Sequence, residues 1–329
     1  MNVLVTGGGG FLGRYIVEQL VERGDRVRVL CRHHYPELTA LGVEQIEGDV
    51  ADSSAVDRAV CDMDQVFHVA AKVGFWGRYR DYYRINVIGT QNVIDACIAH
   101  HVQKLIYTSS PSVTMNNRDI HDGDESLPYP AHYHSPYSAT KAEAERRVLA
   151  ANGQCGLITT AIRPHLIVGP RDNHLIPRLL EKARSGRLKQ IGSGLNKVSV
   201  VYVENAANAH LQAADSDAVG GKAYFINEPD PILLWPWINT LLESLGLRKV
   251  RRKVPFRLAF MAGYVLEQVH RMVPGLGEPM VTRFLASELY RNHYFSIERA
   301  RRDFGYEPLY SFGEAQEKTL AYLRSSNIS

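Results

Sequence analysis

The run Val3-Leu4-Val5-Thr6-Gly7-Gly8-Gly9-Gly10-Phe11-Leu12-Gly13 decides the fold. Apolar β-formers come first, then glycines at 7, 10 and 13, then an amphipathic pattern carried by Ile16, Val17, Leu20 and Val21. That order predicts a strand, a tight turn and a helix. Gly7 permits the turn, Gly10 lets the backbone approach a pyrophosphate, and Gly13 lets the helix pack close to the strand. The helix start at Phe11 and Leu12 presents N–H groups and partial positive charge to the phosphates. A glycine pattern alone is weak, but this one has its strand before and its helix after. The segment therefore predicts a dinucleotide site. The alternative is a glycine-rich turn with no ligand.

Outward from this turn, β-rich runs alternate with helical patterns through the first 165 residues. The strand-like runs are Val3–Thr6, Arg26–Cys31, Glu44–Glu47, Gln65–Ala70, Lys104–Thr108 and Leu157–Ile162. Helical patterns lie near 11–23, 53–61, 82–100 and 136–152. Such βαβ units predict an α/β fold: a Rossmann-type, doubly wound parallel sheet whose sites lie at the carboxyl ends of the strands. After Pro164 the pattern loosens and Gly and Pro become frequent. Residues 1–165 read as the dinucleotide-binding core. Residues 166–329 read as a smaller substrate-binding lobe over the mouth of the sheet, with pieces such as Val198–Val203 returning to the core.

The end of the second strand selects the dinucleotide. A site for NAD places Asp or Glu there for the ribose 2′-OH. This chain has Cys31-Arg32-His33-His34, with no carboxylate. Arg32 can pair with a 2′-phosphate and stack on adenine, which favours NADPH/NADP+ over NAD. The competing reading is a solvated basic loop. Gly48-Asp49-Val50 follows the third strand, so Asp49 and Val50 are further cofactor candidates. Asp49 could accept from the adenine amino group, or could instead cap the helix that starts near Ser53.

Tyr137-Ser138-Ala139-Thr140-Lys141 opens a helical stretch. A phenol is a poor acid at neutral pH, with a pKa near 10. An ammonium one turn away favours the phenolate, and i,i+4 spacing puts both groups on one face. Tyr137 then reads as the proton donor to a forming alkoxide, and Lys141 as its activating cation and a contact to the nicotinamide ribose. A hydroxyl should hold the carbonyl oxygen. Thr108-Ser109-Ser110 ends the fifth strand, and Ser110 is the choice with Ser109 the alternative. A Tyr-x-x-x-Lys pair arises by chance in a chain of this size; its weight comes from the order of the motifs.

These strings resemble the extended short-chain dehydrogenase/reductase family over essentially the whole chain. They are Gly7-x-x-Gly10-x-x-Gly13, Gly48-Asp49-Val50, His68-Val69-Ala70-Ala71, Asn86-Val87-x-Gly89-Thr90, Tyr107-Thr108-Ser109-Ser110, Tyr137-x-x-x-Lys141 and Arg163-Pro164. Within it the chain is similar to the 3β-hydroxysteroid dehydrogenase-like branch, and there to bacterial 2-alkyl-3-oxoalkanoate reductases of long-chain olefin synthesis. His34-Tyr35-Pro36-Glu37-Leu38, Ala70-Ala71-Lys72-x-Gly74-x-Trp76-Gly77 and Thr282-Arg283-Phe284-Leu285-Ala286 carry that likeness. Cys31 departs from it, standing where Asn is expected. The resemblance implies that Ala70, Ala71, Asn86 and Pro164 border the cofactor. It also implies a homodimer through the helices at 82–100 and 136–152, a possible complex with other pathway enzymes, and NADPH-dependent reduction of the 3-keto group of an α-alkylated β-keto acid. A 3β-hydroxysteroid dehydrogenase is the first alternative and a nucleotide-sugar epimerase or dehydratase the second. A cofactor sensor without catalysis is the reading from another class.

Composition bounds the rest. At 329 residues, 45% hydrophobic and 22% charged, the chain reads as globular, and a net charge of +3 gives no reason to invoke nucleic acid. Four dispersed cysteines and the absence of a signal-like start fit a reduced, cytoplasmic protein. Apolar residues such as Trp76 and Phe284 offer surface for a long-chain small-molecule substrate, and Lys72, Arg78 and Arg171 are candidates for its carboxylate. His132 and His134 read as loop residues, with no metal expected. The nine uncharged residues Leu258–Leu266 are too few to span a membrane and read as an amphipathic helix covering the core or pocket. Peripheral membrane contact is the alternative.

Overall fold

The structure, a computed structural model, describes residues 1–273 and 275–326; Pro274 and the last three residues lie outside them. The chain begins β1 (Asn2–Thr6), α1 (Phe11–Glu22), β2 (Arg26–Cys31), α2 (Pro36–Ala40), β3 (Glu44–Glu47), α3 (Ser53–Val60) and β4 (Gln65–His68). It continues α4 (Tyr79–Tyr83), α5 (Gly89–Ala99), β5 (Lys104–Thr108), β6 (Ile120–Gly123), α6 (Pro136–Ala150) and β7 (Ile158–Pro164). Six of these strands and Lys222–Ile226 form one parallel sheet in the order Lys222–Ile226, β7, β5, β4, β1, β2, β3. The order reverses between β1 and β4, so the crevice for a ligand lies at their carboxyl ends.

Strands buried on both faces must be apolar throughout, as Val3, Leu4 and Val5 are. One face is covered by α1 and the helix Val203–Asp215, with Ile16, Leu20, Ala206 and Ala209 in the core. The other is covered by α3, α5 and α6, through Val56, Val93, Ile94 and Val148.

The chain crosses residue 165 in both directions. Lys222–Ile226 supplies the seventh core strand, while β6 joins the small mixed sheet of the lobe beside His293–Phe295. Val198 and Val200 pack with Trp235 in the lobe, whereas Val201, Tyr202 and Val203 pack in the core with α1. The expected continuous helix over 82–100 is interrupted: Arg84–Ile88 widens into a π turn between α4 and α5. All four cysteines are free thiols.

The helix Phe256–Met272 packs on the lobe through one face and leaves part of its apolar stretch on the other. Its inward residues include the small Ala259 and Gly263, the ion-paired Glu267, and Phe256 and Phe260, while Leu258, Met261 and Val265 face outward. Gly263 is required there, because a Cβ would stand 2.8 Å from the Arg283 backbone nitrogen.

The catalytic-helix candidate α6 is fixed to β7 by a buried ion pair. Arg163 donates from Nε to Glu145 at 2.9 Å and from a terminal nitrogen at 2.5 Å, and Tyr129 donates to the same carboxylate at 2.5 Å. Both partners are almost wholly buried. Burial pushes the Glu145 carboxyl up, but Arg163 overcomes it and holds the group below the usual range. Removing one partner leaves the other charge buried and alone. Arg163→Met should therefore cost about 3–5 kcal/mol in urea unfolding. A loss under about 1 kcal/mol would show that the pair does not anchor α6.

Candidate active site

The glycine turn is built to the tolerance of single atoms. Gly7 has φ 73°, and a Cβ on it would stand 2.9 Å from Ala70 Cα. A Cβ on Gly13 would stand 2.2 Å from the Gly7 carbonyl oxygen, so β1 and α1 meet with no room for a side chain. Gly9 is equally constrained, its Cβ direction filled by the Tyr35 ring, which the spacing of the other glycines did not signal. Gly10 is the N-cap of α1 and supplies no side-chain cap. The amides of Phe11, Leu12 and Gly13 therefore have no intrahelical acceptor and point into the crevice with the helix dipole. This cradle suits a pyrophosphate.

Arg32, at the end of β2, is exposed, and its side chain has no hydrogen-bond or acidic partner among the described residues. Asp49 is committed on both oxygens, accepting from the Ala51 amide at 3.0 Å and pairing with Arg84 of the π turn at 2.9 Å. The cap of α3 is Asp52, not Asp49. Val50 is buried against Gly89. Ala70 and Ala71 follow β4 directly and Pro164 ends β7, so all three stand at the carboxyl edge of the sheet.

A buried polar relay connects these strand ends. Ala70 donates to Thr6 Oγ1 at 3.2 Å, and Thr6 Oγ1 meets His68 Nδ1 at 2.7 Å. His68 Nε2 meets Thr90 Oγ1 at 2.9 Å, and Thr90 donates to the Asn86 carbonyl at 2.6 Å. Because Thr90 spends its proton on that carbonyl, His68 donates from Nε2 and accepts at Nδ1. Burial pushes His68 down to about 3, so it stays neutral. Asn86 sits in the π turn, where a widened helix brings its amide inward. It accepts from the Lys72 amide and donates to the Lys72 carbonyl and to Thr140 Oγ1. The loop after β4 is thus splinted to α6.

Ser110, Tyr137 and Lys141 converge at the end of β5. Ser135 caps α6 and Pro136 opens it, which places Tyr137 in the first turn and Lys141 one turn later. Tyr137 is half-buried. Burial pushes its phenol up to about 12, and the neighbouring Ser110 hydroxyl works against that rise, while Ser110 Oγ itself donates to Ser112 Oγ at 3.0 Å and accepts from the Ser112 amide. Ser109 turns instead toward Glu145. Burial pushes the Lys141 ammonium down to about 7, with Glu145 opposing. Lys141 Nζ donates to the Thr108 carbonyl at 2.5 Å and lies 4.0 Å from the centre of the Tyr107 ring. The expectation that Lys141 lowers the phenol pKa is therefore not met in this geometry: burial dominates, and the ammonium is bonded to Thr108.

The substrate candidates separate. Lys72 Nζ lies 5.2 Å from the centre of the Tyr82 ring. Trp76 packs edge-on against His270, 6.3 Å between centroids, and its carbonyl accepts from Tyr82. Phe75 meets Phe284 at 5.4 Å. Arg78 pairs with Asp81. Arg171 corrects its assignment: both its terminal nitrogens are held by Glu18 at 2.7 Å and its guanidinium lies on Tyr15, so it ties α1 to the lobe and offers no anion site. A narrow cleft opens beside α6, lined by Arg118, Tyr133, Ser138, Phe284, Glu288 and Arg291 among others. Arg118, which sequence reading did not single out, has no acidic partner among the described residues.

His132 and His134 precede α6 in a loop, and the His134 ring packs edge-on to Phe260. The cluster of metal-ligand type among the described residues lies elsewhere, at His165, Glu288 and His293. There His165 Nε2 and His293 Nδ1 are hydrogen-bonded to each other at 2.6 Å, and His293 Nε2 donates to the Glu288 carbonyl. This seam joins the residue after β7 to the lobe sheet. The pairing spans 128 residues, so nothing local signalled it.

Fold and cradle define a nicotinamide-dinucleotide oxidoreductase that acts on hydroxyl and keto groups. The chain belongs to the 3-beta hydroxysteroid dehydrogenase/isomerase family, which matches residues 4–257. It is 48% identical to the 2-alkyl-3-oxoalkanoate reductase of Stenotrophomonas maltophilia, over 98% of this chain and 99% of that protein. It is 37% identical to the decarboxylating sterol-4-alpha-carboxylate 3-dehydrogenase of Mus musculus, over 96% of this chain and 89% of that one. Among solved structures it resembles UDP-glucose 4-epimerase of Thermotoga maritima, with a TM-score of 0.78, 99% and 100% coverage and 22% identity; that likeness is one of fold.

The Lys141 shift has a stability consequence. The unfolded lysine titrates near 10.5 and the folded one near 7, so between these values the unfolded state binds more protons and stability rises with pH. Below about 7 the full cost of the buried ammonium is present. Relative to the wild type, Lys141→Met should be more favourable at pH about 6 than at pH about 10, by up to about 5 kcal/mol. Urea unfolding at both ends checks it; an effect independent of pH would refute the shift.

Proposed function

We propose that the chain reduces the 3-keto group of a long-chain 2-alkyl-3-oxoalkanoate to the 3-hydroxy acid, with NADPH, through Ser110, Tyr137 and Lys141. The observation that carries this reading is the half-buried Tyr137 phenol in the first turn of α6, beside Ser110 and one turn from Lys141. The full-length likeness to proteins named for that reaction supports it.

The residues present fit the dinucleotide. Gly7, Gly10 and Gly13 leave the space and the amides of α1 supply the donors for the pyrophosphate. The free guanidinium of Arg32 suits a 2′-phosphate, as a fork of donors matches phosphate oxygens. When bound, the nicotinamide supplies the hydride. Ser110 Oγ holds the keto oxygen and aims it. Tyr137 Oη donates its proton to that oxygen as negative charge develops there. A phenol pushed up to about 12 is fully protonated at neutral pH, which is the form a donor needs. In its ammonium form Lys141 can hand a proton back to the Tyr137 phenolate, and the amine left behind takes its replacement from solvent. Asn86 holds the loop that carries Lys72 beside α6.

The cleft walls of Phe284 and Met115 receive alkyl chains, and Arg118 or Lys72 receives the carboxylate. The reading also has the chain acting in the cytoplasm as a homodimer through α5 and α6.

The test is oxidation of NADPH and NADH by the pure protein with a racemic long-chain 2-alkyl-3-oxo acid, beside a 3-ketosteroid. Turnover of the keto acid, with NADPH preferred, is expected; turnover of the steroid alone moves the substrate to the hydroxysteroid class. Tyr137→Phe should lower kcat by about 10²–10⁴ with the fold retained. Arg32→Glu should raise KM for NADPH about tenfold or more and leave kcat in place. An unchanged NADPH KM would remove Arg32 from the cofactor site.

A further inference from the structure

The helix Phe256–Met272 carries a row of large aliphatic side chains on the face turned away from the protein, while Phe256 and Phe260 pack inward. Leu258 is 62% exposed, Met261 56%, Val265 53% and Met272 73%, with Val269 also exposed. Their spacings of three and four residues put them in one stripe. The opposite face, with Ala259, Gly263 and Glu267, is the one that packs on the lobe. Val273, Leu276 and Met280 continue the exposed apolar surface past the helix. An apolar patch of this kind on a folded protein marks a surface that meets another apolar phase.

Charge identifies that phase. Immediately before the helix, Arg248, Lys249, Arg251, Arg252 and Lys253 are exposed, as is Arg257 in its first turn, with no acidic residue among residues 248–257. Only Lys249 has an acidic partner among the described residues, Glu243. Within the helix the one acidic side chain, Glu267, is buried and paired with Arg283. An outward apolar stripe beside a run of free cations is the pattern of a helix lying in the headgroup region of an anionic bilayer. No helix among the described residues is long and apolar enough to cross a membrane, which leaves an in-plane position. A second copy of the chain fits less well, because a paired stripe would bring two cationic runs together.

We infer that the Phe256–Met272 helix and its preceding basic run dock the protein on an anionic phospholipid surface. The helix borders the site through its other side. His270 packs on Trp76 and Phe260 on His134, so the helix touches both the loop after β4 and the segment leading into α6. Docking would hold this region of the protein at the phase in which long alkyl chains dissolve. That use rests on the proposed reaction; the docking does not.

The experiment is co-sedimentation of the full chain with vesicles of phosphatidylcholine containing about 30% phosphatidylglycerol, and with phosphatidylcholine alone. Partition onto the anionic vesicles should exceed that onto the neutral ones about tenfold or more, and should weaken as salt is raised. Met261→Gln with Val265→Asn should release the protein, as should Arg251→Glu with Arg252→Glu, each with the melting temperature retained. Three results overturn the inference. The wild type stays in the supernatant with both vesicles; both double variants bind as the wild type does; or light scattering shows self-association that Val265→Asn disrupts. None of these readouts uses catalysis, so failure of the reductase assignment leaves them interpretable.

Discussion

The geometry of the site depends on the Glu145–Arg163 pair more than on any other contact. Tyr137, Lys141 and Glu145 follow one another at four-residue steps on α6, so anchoring Glu145 sets the rotation of the helix and with it the other two. Arg163 stands in β7, next to Pro164 at the edge of the crevice, and its guanidinium lies 5.1 Å from the centre of the Phe225 ring on the seventh strand. One bidentate contact therefore references helix, sheet and outer strand to each other. An ion pair taken out of water stabilises little in itself, but it permits few alternatives in geometry, and Tyr129 satisfies a further carboxylate lone pair.

The same carboxylate shapes the electrostatics. Burial drives both Tyr137 and Lys141 toward their neutral forms, and Glu145 is the charge that keeps Lys141 near 7 rather than lower. Lysine at that value is poised between charged and neutral at physiological pH, which suits a group that must replace the proton its neighbour gives away. The His68 relay serves the other half of the site. By linking Thr6, Thr90 and Asn86 it joins the glycine turn to the π turn, and it does so without adding charge to the crevice.

Helix Phe256–Met272 extends the logic from the site to its surroundings. Glycine and alanine on its inward side let the helix sit close on the Thr282–Arg283 backbone, and Phe256 and Phe260 seal the rest of that contact. The aliphatic residues of the opposite side are left facing solvent.

Much of this was legible in the chain itself. The glycine spacing, the six core strands, the doubly wound class and the Tyr137–Lys141 pair follow from local periodicity and from residues whose backbone or chemistry admits few substitutes. The choice between Ser109 and Ser110 as the hydroxyl beside Tyr137 turns on side-chain orientation just past the end of β5, which local sequence does not fix. What tertiary structure alone decided are pairings across long separations. These are Arg171 with Glu18, His165 with His293, Asn86 with the loop at Lys72 and Thr140, and the seventh strand, which comes from residues past 220. It also decided which apolar residues of the helix at 256–272 pack inward and which face out, because hydropathy gives the width of an apolar face but not the direction it points. Local sequence sets the menu of elements; which groups meet, and so which pKa values shift and which cations stay free, is set by contacts between residues that the sequence holds far apart.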